Sequence, residues 1–167
     1  MTSSLTSAGP FDPPDVRWAR VSPRLATSRL TTAAIGLGLP MVGGAVAAVL
    51  SGAAWVWVIP AASVALGIWA AWLIPRQVRA VGYAERADDL LIRKGIMFRS
   101  MVVVPYGRMQ YVDVKAGPLA RAFGVASVQL HTASIGTDAA IDGLPPVEAT
   151  RLRDQLAARG EARLAGL

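Results

Sequence analysis

The chain has 167 residues, with 17 Lys and Arg against 11 Asp and Glu, one His and no Cys; 53% of it is hydrophobic and only 17% charged. A charged share this far below the ~25% of a typical soluble domain means that part of the chain is solvated by something other than water, and disorder or a fibrous architecture is excluded for the whole. Without cysteine there are no disulfides, thiolate metal sites or cysteine nucleophiles, and one His leaves too few nitrogens for a usual zinc site, so no metal and no cofactor is expected.

Residues 1–29 are rich in Ser, Thr and Pro and end in a basic stretch with Arg17, Arg20, Arg24 and Arg29. Their composition predicts a flexible N-terminal segment. From Leu30 to Leu50 run 21 residues without a charge, which as a helix would be about 31 Å long and match a hydrocarbon core of roughly 30 Å. A second uncharged run, Ala53 to Ile74, follows at once. The two predict a transmembrane helical hairpin (30–50 and 53–74) with a tight turn at Ser51 and Gly52. Trp55 and Trp57 at one end and Trp69 and Trp72 at the other fit interfacial belts. Pro40 and Pro60 are expected to kink their helices. The small-residue spacings Ala34/Gly38, Gly44/Ala48 and Ser63/Gly67 allow close helix approach, within the hairpin or between subunits.

Arginines flank both outer ends of the hairpin and none lies in its turn, so the positive-inside rule puts both termini in the cytoplasm of a multi-pass inner-membrane protein. A cleaved signal peptide competes, but the 29-residue lead and 21-residue apolar core are long for one. With no ionisable residue inside either run, an ion or proton pathway is not expected.

After Arg76 the period changes. In LLIRKGIMFRSMVVV two apolar runs meet at Lys94-Gly95, a hairpin turn in which glycine supplies positive φ. Val112 and Val114 alternate with Tyr111, Asp113 and Lys115, and Val128 and Leu130 with Gln129 and His131, as half-buried strands do. PLARAFG reads as a turn with one helical turn. Pro145, Ala149, Leu152 and Leu156 then form a helical stripe, with Pro145-Pro146 at its start, Glu148 in its first turn and Arg159-Gly160 at its end. The module, residues 76–160, is several antiparallel strands capped by one helix, with 161–167 as a tail.

The string VVVPYGRMQYVDVKAGPLARAFGVASVQLHTAS, followed by IDGLPPVEATRLRDQL, resembles the bacterial pleckstrin-homology-like membrane proteins of former domain of unknown function 304, the YdbS-like group. The resemblance implies a two-helix transmembrane hairpin plus a mainly-β pleckstrin-homology-like barrel with a C-terminal capping helix. It implies no activity.

No catalytic constellation stands out. His131 with Ser127 or Ser134 and Asp138 lacks the strained glycine elbow of a nucleophile, and Asp88-Asp89 and Asp138/Asp142 suit turns. Residues 76–121 carry nine basic and four acidic side chains, residues 122–167 four and five. Arg76, Arg79, Arg93, Lys94 and Arg99 are therefore the candidates for anionic lipid headgroups, although the lysine–arginine spacing of eukaryotic pleckstrin-homology domains is absent. Nucleic-acid binding is not expected, because the basic charge sits where membrane topology explains it and no aromatic platform accompanies it. Arg108, Gln110, Tyr111 and Asp113, on the wet face of one strand, are the candidates for contact with a protein partner, of unknown identity, or with a second copy. The expectation is a non-catalytic scaffold or accessory subunit that acts by protein–protein interaction among membrane lipids, with headgroup recognition as the alternative.

Overall fold

The computed structural model describes residues 16–132 and 139–166. A short strand, β1 (Ala19–Arg20), leads into helix α1 (Arg24–Ser51). Gly52, left-handed at φ 63°, ends α1 by donating its N–H to the Ala48 carbonyl, and a 3-10 turn at Ala54–Trp57 opens α2 (Val58–Arg79). Both helices are long and apolar enough to cross a bilayer.

They meet most closely near the turn. A Cβ on Gly44 would lie 2.7 Å from Ile59 Cγ2, Ala48 is buried, and the Ser63 hydroxyl donates to the Ile59 carbonyl at 3.0 Å. The Gly44/Ala48 spacing thus packs the hairpin on itself, with the Ser63 hydroxyl satisfied within α2, whereas a Cβ at Gly38 or Gly43 would meet nothing within 4 Å. Pro40 lies inside α1. Pro60 falls in the first turn of α2, where a missing N–H costs no intrahelical bond; the proline inside α2 is Pro75.

The β domain consists of two antiparallel sheets. One runs β1, β2 (Gly82–Glu85), β3 (Asp89–Lys94), β4 (Ser100–Pro105). The other runs β5 (Met109–Lys115), β6 (Ala126–Thr132), β7 (Ala139–Leu144), with the short helix α3 (Pro118–Ala122) between β5 and β6. Among the described residues these are two separate PH-like sheets and not one closed barrel. Pro105 has no N–H to donate and Tyr106–Arg108 form a 3-10 turn, so β4 hands over to β5 without a ladder between them.

Both sheets nevertheless share one core. Leu90, Ile92 and Val104 from the first meet Val128, Leu130 and Ile141 from the second, with Tyr106 between and Ala149, Leu152 and Leu156 of helix α4 (Pro146–Ala165) closing the open side. The expected α4 stripe is fully buried except for Pro145, which is exposed. Gly160 does not end the helix. It is buried inside α4, 3.8 Å from the Tyr106 carbonyl measured at its would-be Cβ, and the helix takes in most of the expected tail.

The chain before residue 29 is also built into the domain from Ala19 onward. Ala19 and Arg20 pair with Tyr83 and Gly82, Ser22 N–H bonds the Gly143 carbonyl at 2.8 Å, and Val21, Leu25 and Val78 join the core. Averaged over the whole stretch, the polar residues hide these few apolar anchors. The tightest contact is at Gly143, where φ is 82° and a Cβ would sit 2.6 Å from Leu25 Cδ2.

Gly143→Ala is therefore expected to combine a strained backbone with overpacking and lower stability by about 3 kcal/mol. Gly43→Ala, in open space on α1, should leave the melting temperature in detergent unchanged or raise it. Equal melting of Gly143→Ala and the parent would show that the joint is loose.

Candidate functional site

The five residues expected to face headgroups separate into three places. Arg76, on the last turn of α2, and Lys94, at the end of β3, line one crevice of about 640 Å³ with Trp69, Trp72, Met97 and Phe98. Arg93 and Arg99 line an adjoining smaller one of about 240 Å³ that shares Gly95 and Ile96. Arg79 is exposed and lines neither. The Arg76 guanidinium lies over the Trp72 ring at 3.7 Å, and Arg93 lies over Trp18 at 4.6 Å, so both arginines are held in place by aromatic faces.

The hairpin between β3 and β4 is longer than its glycine suggested. Lys94 pairs with Ser100, leaving residues 95–99 as a five-residue loop. Gly95 takes φ 93°, and a Cβ there would collide with the Phe98 carbonyl oxygen. Ile96, Met97 and Phe98, read from sequence as the start of a strand, form the tip of this loop; Met97 and Phe98 are each 85% exposed. Arg99-Ser100, which separates this apolar triplet from MVVV, was the available signal.

On the other sheet, register places Tyr111 opposite His131, Asp113 opposite Gln129 and Lys115 opposite Ser127. Tyr111 and His131 stack with centroids 4.3 Å apart and planes at 19°. Lys115 Nζ donates to Gln129 Oε1 at 2.6 Å and lies 3.9 Å from Asp113. A bulge between Met109 and Tyr111 buries Met109 and leaves Gln110 exposed. Arg108 is exposed on the preceding turn. Tyr111 and Asp113 share one face of β5, with Gln110 exposed at the bulge and Arg108 exposed on the turn before it.

Among the described residues, Ser127 and His131 do not form a nucleophile–base pair. Ser127 and His131 lie four residues apart on β6, about 13 Å along a strand, and Ser127 Oγ donates to Asp142 Oδ1 at 2.9 Å. Ser134 and Asp138 lie outside the described residues. Asp142 is not in a turn but in β7, where it also receives Arg29 Nη2 at 3.0 Å. Asp88 pairs with Arg163, and Asp89 opens β3 with Arg86 3.7 Å away. Among the described residues there is no group of His, Asp and Glu that could hold a metal.

Helix α4 is fastened to the first sheet by a polar clamp. Tyr83 donates its hydroxyl to Glu148 Oε1 at 2.9 Å. Arg151 donates to both Glu148 oxygens at 2.6 and 2.9 Å and to Glu85 Oε1 at 2.7 Å. Two turns on, Arg159 donates to the Tyr106 hydroxyl at 2.8 Å, and Tyr106 in turn donates to the Arg86 carbonyl at 3.0 Å. Burial, helped by Glu148, pushes the Tyr83 phenol up to about 12. Hydrogen bonds from Arg151, joined by that of Tyr83, hold Glu148 below the usual carboxylate range against the opposing effect of burial. Burial also raises Tyr106, partly offset by Arg159.

With this geometry in view, the family comparison is decisive: the model of the bacterial PH domain matches residues 34–160. The chain belongs to the bacterial PH domain family. It is similar to the transmembrane protein YdbS of Bacillus subtilis (strain 168), 36% identical over 74 residues, which are 44% of this chain and 45% of that relative. The alignment spans less than half the length of the relative. No solved structure matches the chain. A PH-like domain in a membrane protein, with two apolar helices ahead of it, is what the sequence and the fold jointly describe.

In this PH domain the clamp couples stability to pH at both ends of the range. Glu148 is depressed in the folded state, so its contribution is present above the unfolded value near pH 4.3 and is lost as pH falls through the folded one. Tyr83 is raised, so its contribution is present below about pH 10 and is lost as pH rises towards about 12. Melting followed against pH should show both losses. Glu148→Gln should flatten the acid limb and Tyr83→Phe the alkaline one; an acid limb identical to the parent's in Glu148→Gln would remove the clamp from the account.

Proposed function

We infer that this protein is a non-catalytic, membrane-anchored scaffold or accessory subunit, with the PH-like domain and both termini on the cytoplasmic side of the inner membrane. What carries the reading is the shared core: Val21 and Leu25 from the entry to α1 and Val78 from the exit of α2 are buried with the β-domain residues. A domain that only needed tethering would be joined by polar linkers. Here its attitude to the hairpin is held by apolar packing and by the Arg29–Asp142 pair, which gives the exposed face a defined direction.

The face offered to a partner is that of β5. Tyr111 is 56% exposed yet ordered by its stack on His131, and an ordered aromatic beside an arginine is the usual make-up of an interface anchor. Arg108 and Gln110 flank it. The Arg76 and Arg79 end of the hairpin, being the positive one, supports the cytoplasmic orientation.

Two measurements test this. In intact cells an impermeant thiol reagent should label Ser51→Cys and spare Gly166→Cys, since no native cysteine competes; labelling of Gly166→Cys would reverse the orientation. The full chain purified from native membranes in mild detergent should retain a partner, or a second copy, in fixed stoichiometry. Arg108→Ala with Tyr111→Ala should weaken that complex by roughly thirtyfold or more, with the melting temperature unchanged because both side chains are exposed. Retention at parental strength would place the interface elsewhere.

A further inference from the structure

The hairpin around residues 95–98 and the end of α2 line the same 640 Å³ crevice. Helix α2 supplies Trp69, Leu73 and Arg76 to it, and the hairpin supplies Lys94, Met97 and Phe98. An Ile-Met-Phe tip exposed to water would be unfavourable, since three consecutive large apolar side chains form a patch that soluble surfaces avoid. The tip is not isolated, however. It lines the same space as Trp69 and Trp72, which sit two turns and one turn before Arg76 near the end of an apolar helix, where interfacial aromatics are found.

The charges around the crevice are unequal. Arg29 is neutralised by Asp142. Arg76 and Lys94 form no ion pair among the described residues; Arg76 is only stacked on Trp72. Two cations without a carboxylate partner therefore share a crevice with Trp69 and Leu73 of a helix long and apolar enough to cross the bilayer. The volume is that of a small-molecule site, large enough for a headgroup and the start of the chains.

We propose that this crevice holds one anionic phospholipid of the surrounding bilayer. Its phosphate lies between Arg76 and Lys94, its acyl chains run down past Trp69 and Leu73, and the tip of Met97 and Phe98 enters the interface beside them. The inference goes beyond the scaffold reading and needs no protein partner; it does rest on α2 crossing the bilayer. The arginines at 93 and 99, on the adjoining face of the loop, add attraction to the membrane surface but do not line this crevice.

The test uses the full chain, purified in mild detergent and loaded with equimolar phosphatidylglycerol and phosphatidylcholine, read by native mass spectrometry. One bound lipid should survive desolvation, with phosphatidylglycerol favoured about tenfold. Arg76→Gln with Lys94→Gln should bring the ratio close to one, Arg76→Lys should preserve it, and Arg121→Gln with Arg153→Gln, which removes equal charge elsewhere, should leave it unchanged. Met97→Ser with Phe98→Ser should lower total retention severalfold. Melting temperatures equal to the parent's establish that each variant is folded. Equal retention of the two lipids by the parent, an unchanged preference in the Arg76/Lys94 variant, or loss of preference in the control variant would each overturn the site. Loss of the protein complex without loss of lipid would count against the scaffold reading alone.

Discussion

The structure depends on a small apolar joint at which two helices made for lipid end inside a core made for water. Leu25 packs on Gly143 so closely that no side chain fits there, Val21 and Val78 complete the contact, and a backbone bond from Ser22 to Gly143 closes it. An apolar joint of this kind is strong only while the backbone around it is held in place. Residue 143 supplies that condition by taking a left-handed conformation that glycine adopts without strain. The strand that carries it, β7, is also the strand that carries Asp142, so the apolar contact and the Arg29–Asp142 pair act on the same two elements from adjacent positions. Exposed ion pairs contribute little by themselves; this one fixes the rotation of α1 about a contact that apolar packing already makes.

The domain shows a similar division of labour. Two sheets that do not pair with one another are united by side chains, with Tyr106 fully buried at the break between β4 and β5 and α4 laid across the gap. The inner face of α4 supplies the apolar contact, and its flank supplies Arg151 and Arg159, which reach the first sheet through Glu85, Glu148 and Tyr106. The helix replaces, by packing and charge, the ladder that Pro105 prevents.

Much of this was legible. Long uncharged runs mark the hairpin because a bilayer imposes a length that soluble helices seldom meet, and Ala149, Leu152 and Leu156 mark the buried face of α4 because one period accounts for all three. The bounds were less legible, for identifiable reasons. The anchoring role of Val21 and Leu25 was diluted by a polar neighbourhood. Gly160 has the composition of a helix stop, yet sits where α4 passes close to the Tyr106 carbonyl. Gly95 was identified as the turn, but the turn takes five residues because Ile96, Met97 and Phe98 leave the ladder; pattern alone cannot separate a strand from an apolar loop. For the candidate sites, alternation grouped Tyr111 and Asp113 correctly with their neighbours. Proximity of Arg76 to Lys94, far apart in sequence, came only from the way the hairpin re-enters the domain.

Helix α1 has 28 residues, about 42 Å, against a hydrocarbon thickness of roughly 30 Å. A helix of this length crossing such a slab would leave about eight residues outside it, and the β domain packs on the N-terminal end of α1 through Val21 and Leu25. Gripped in this way, α1 is a lever arm and the β domain its load. When a bilayer thins, a long helix tilts to keep its apolar length covered, and the domain, lacking a swivel at its base, must lean through the same angle. In a bilayer crossed by α1, any change of tilt of the helix would be carried to the β domain through this joint.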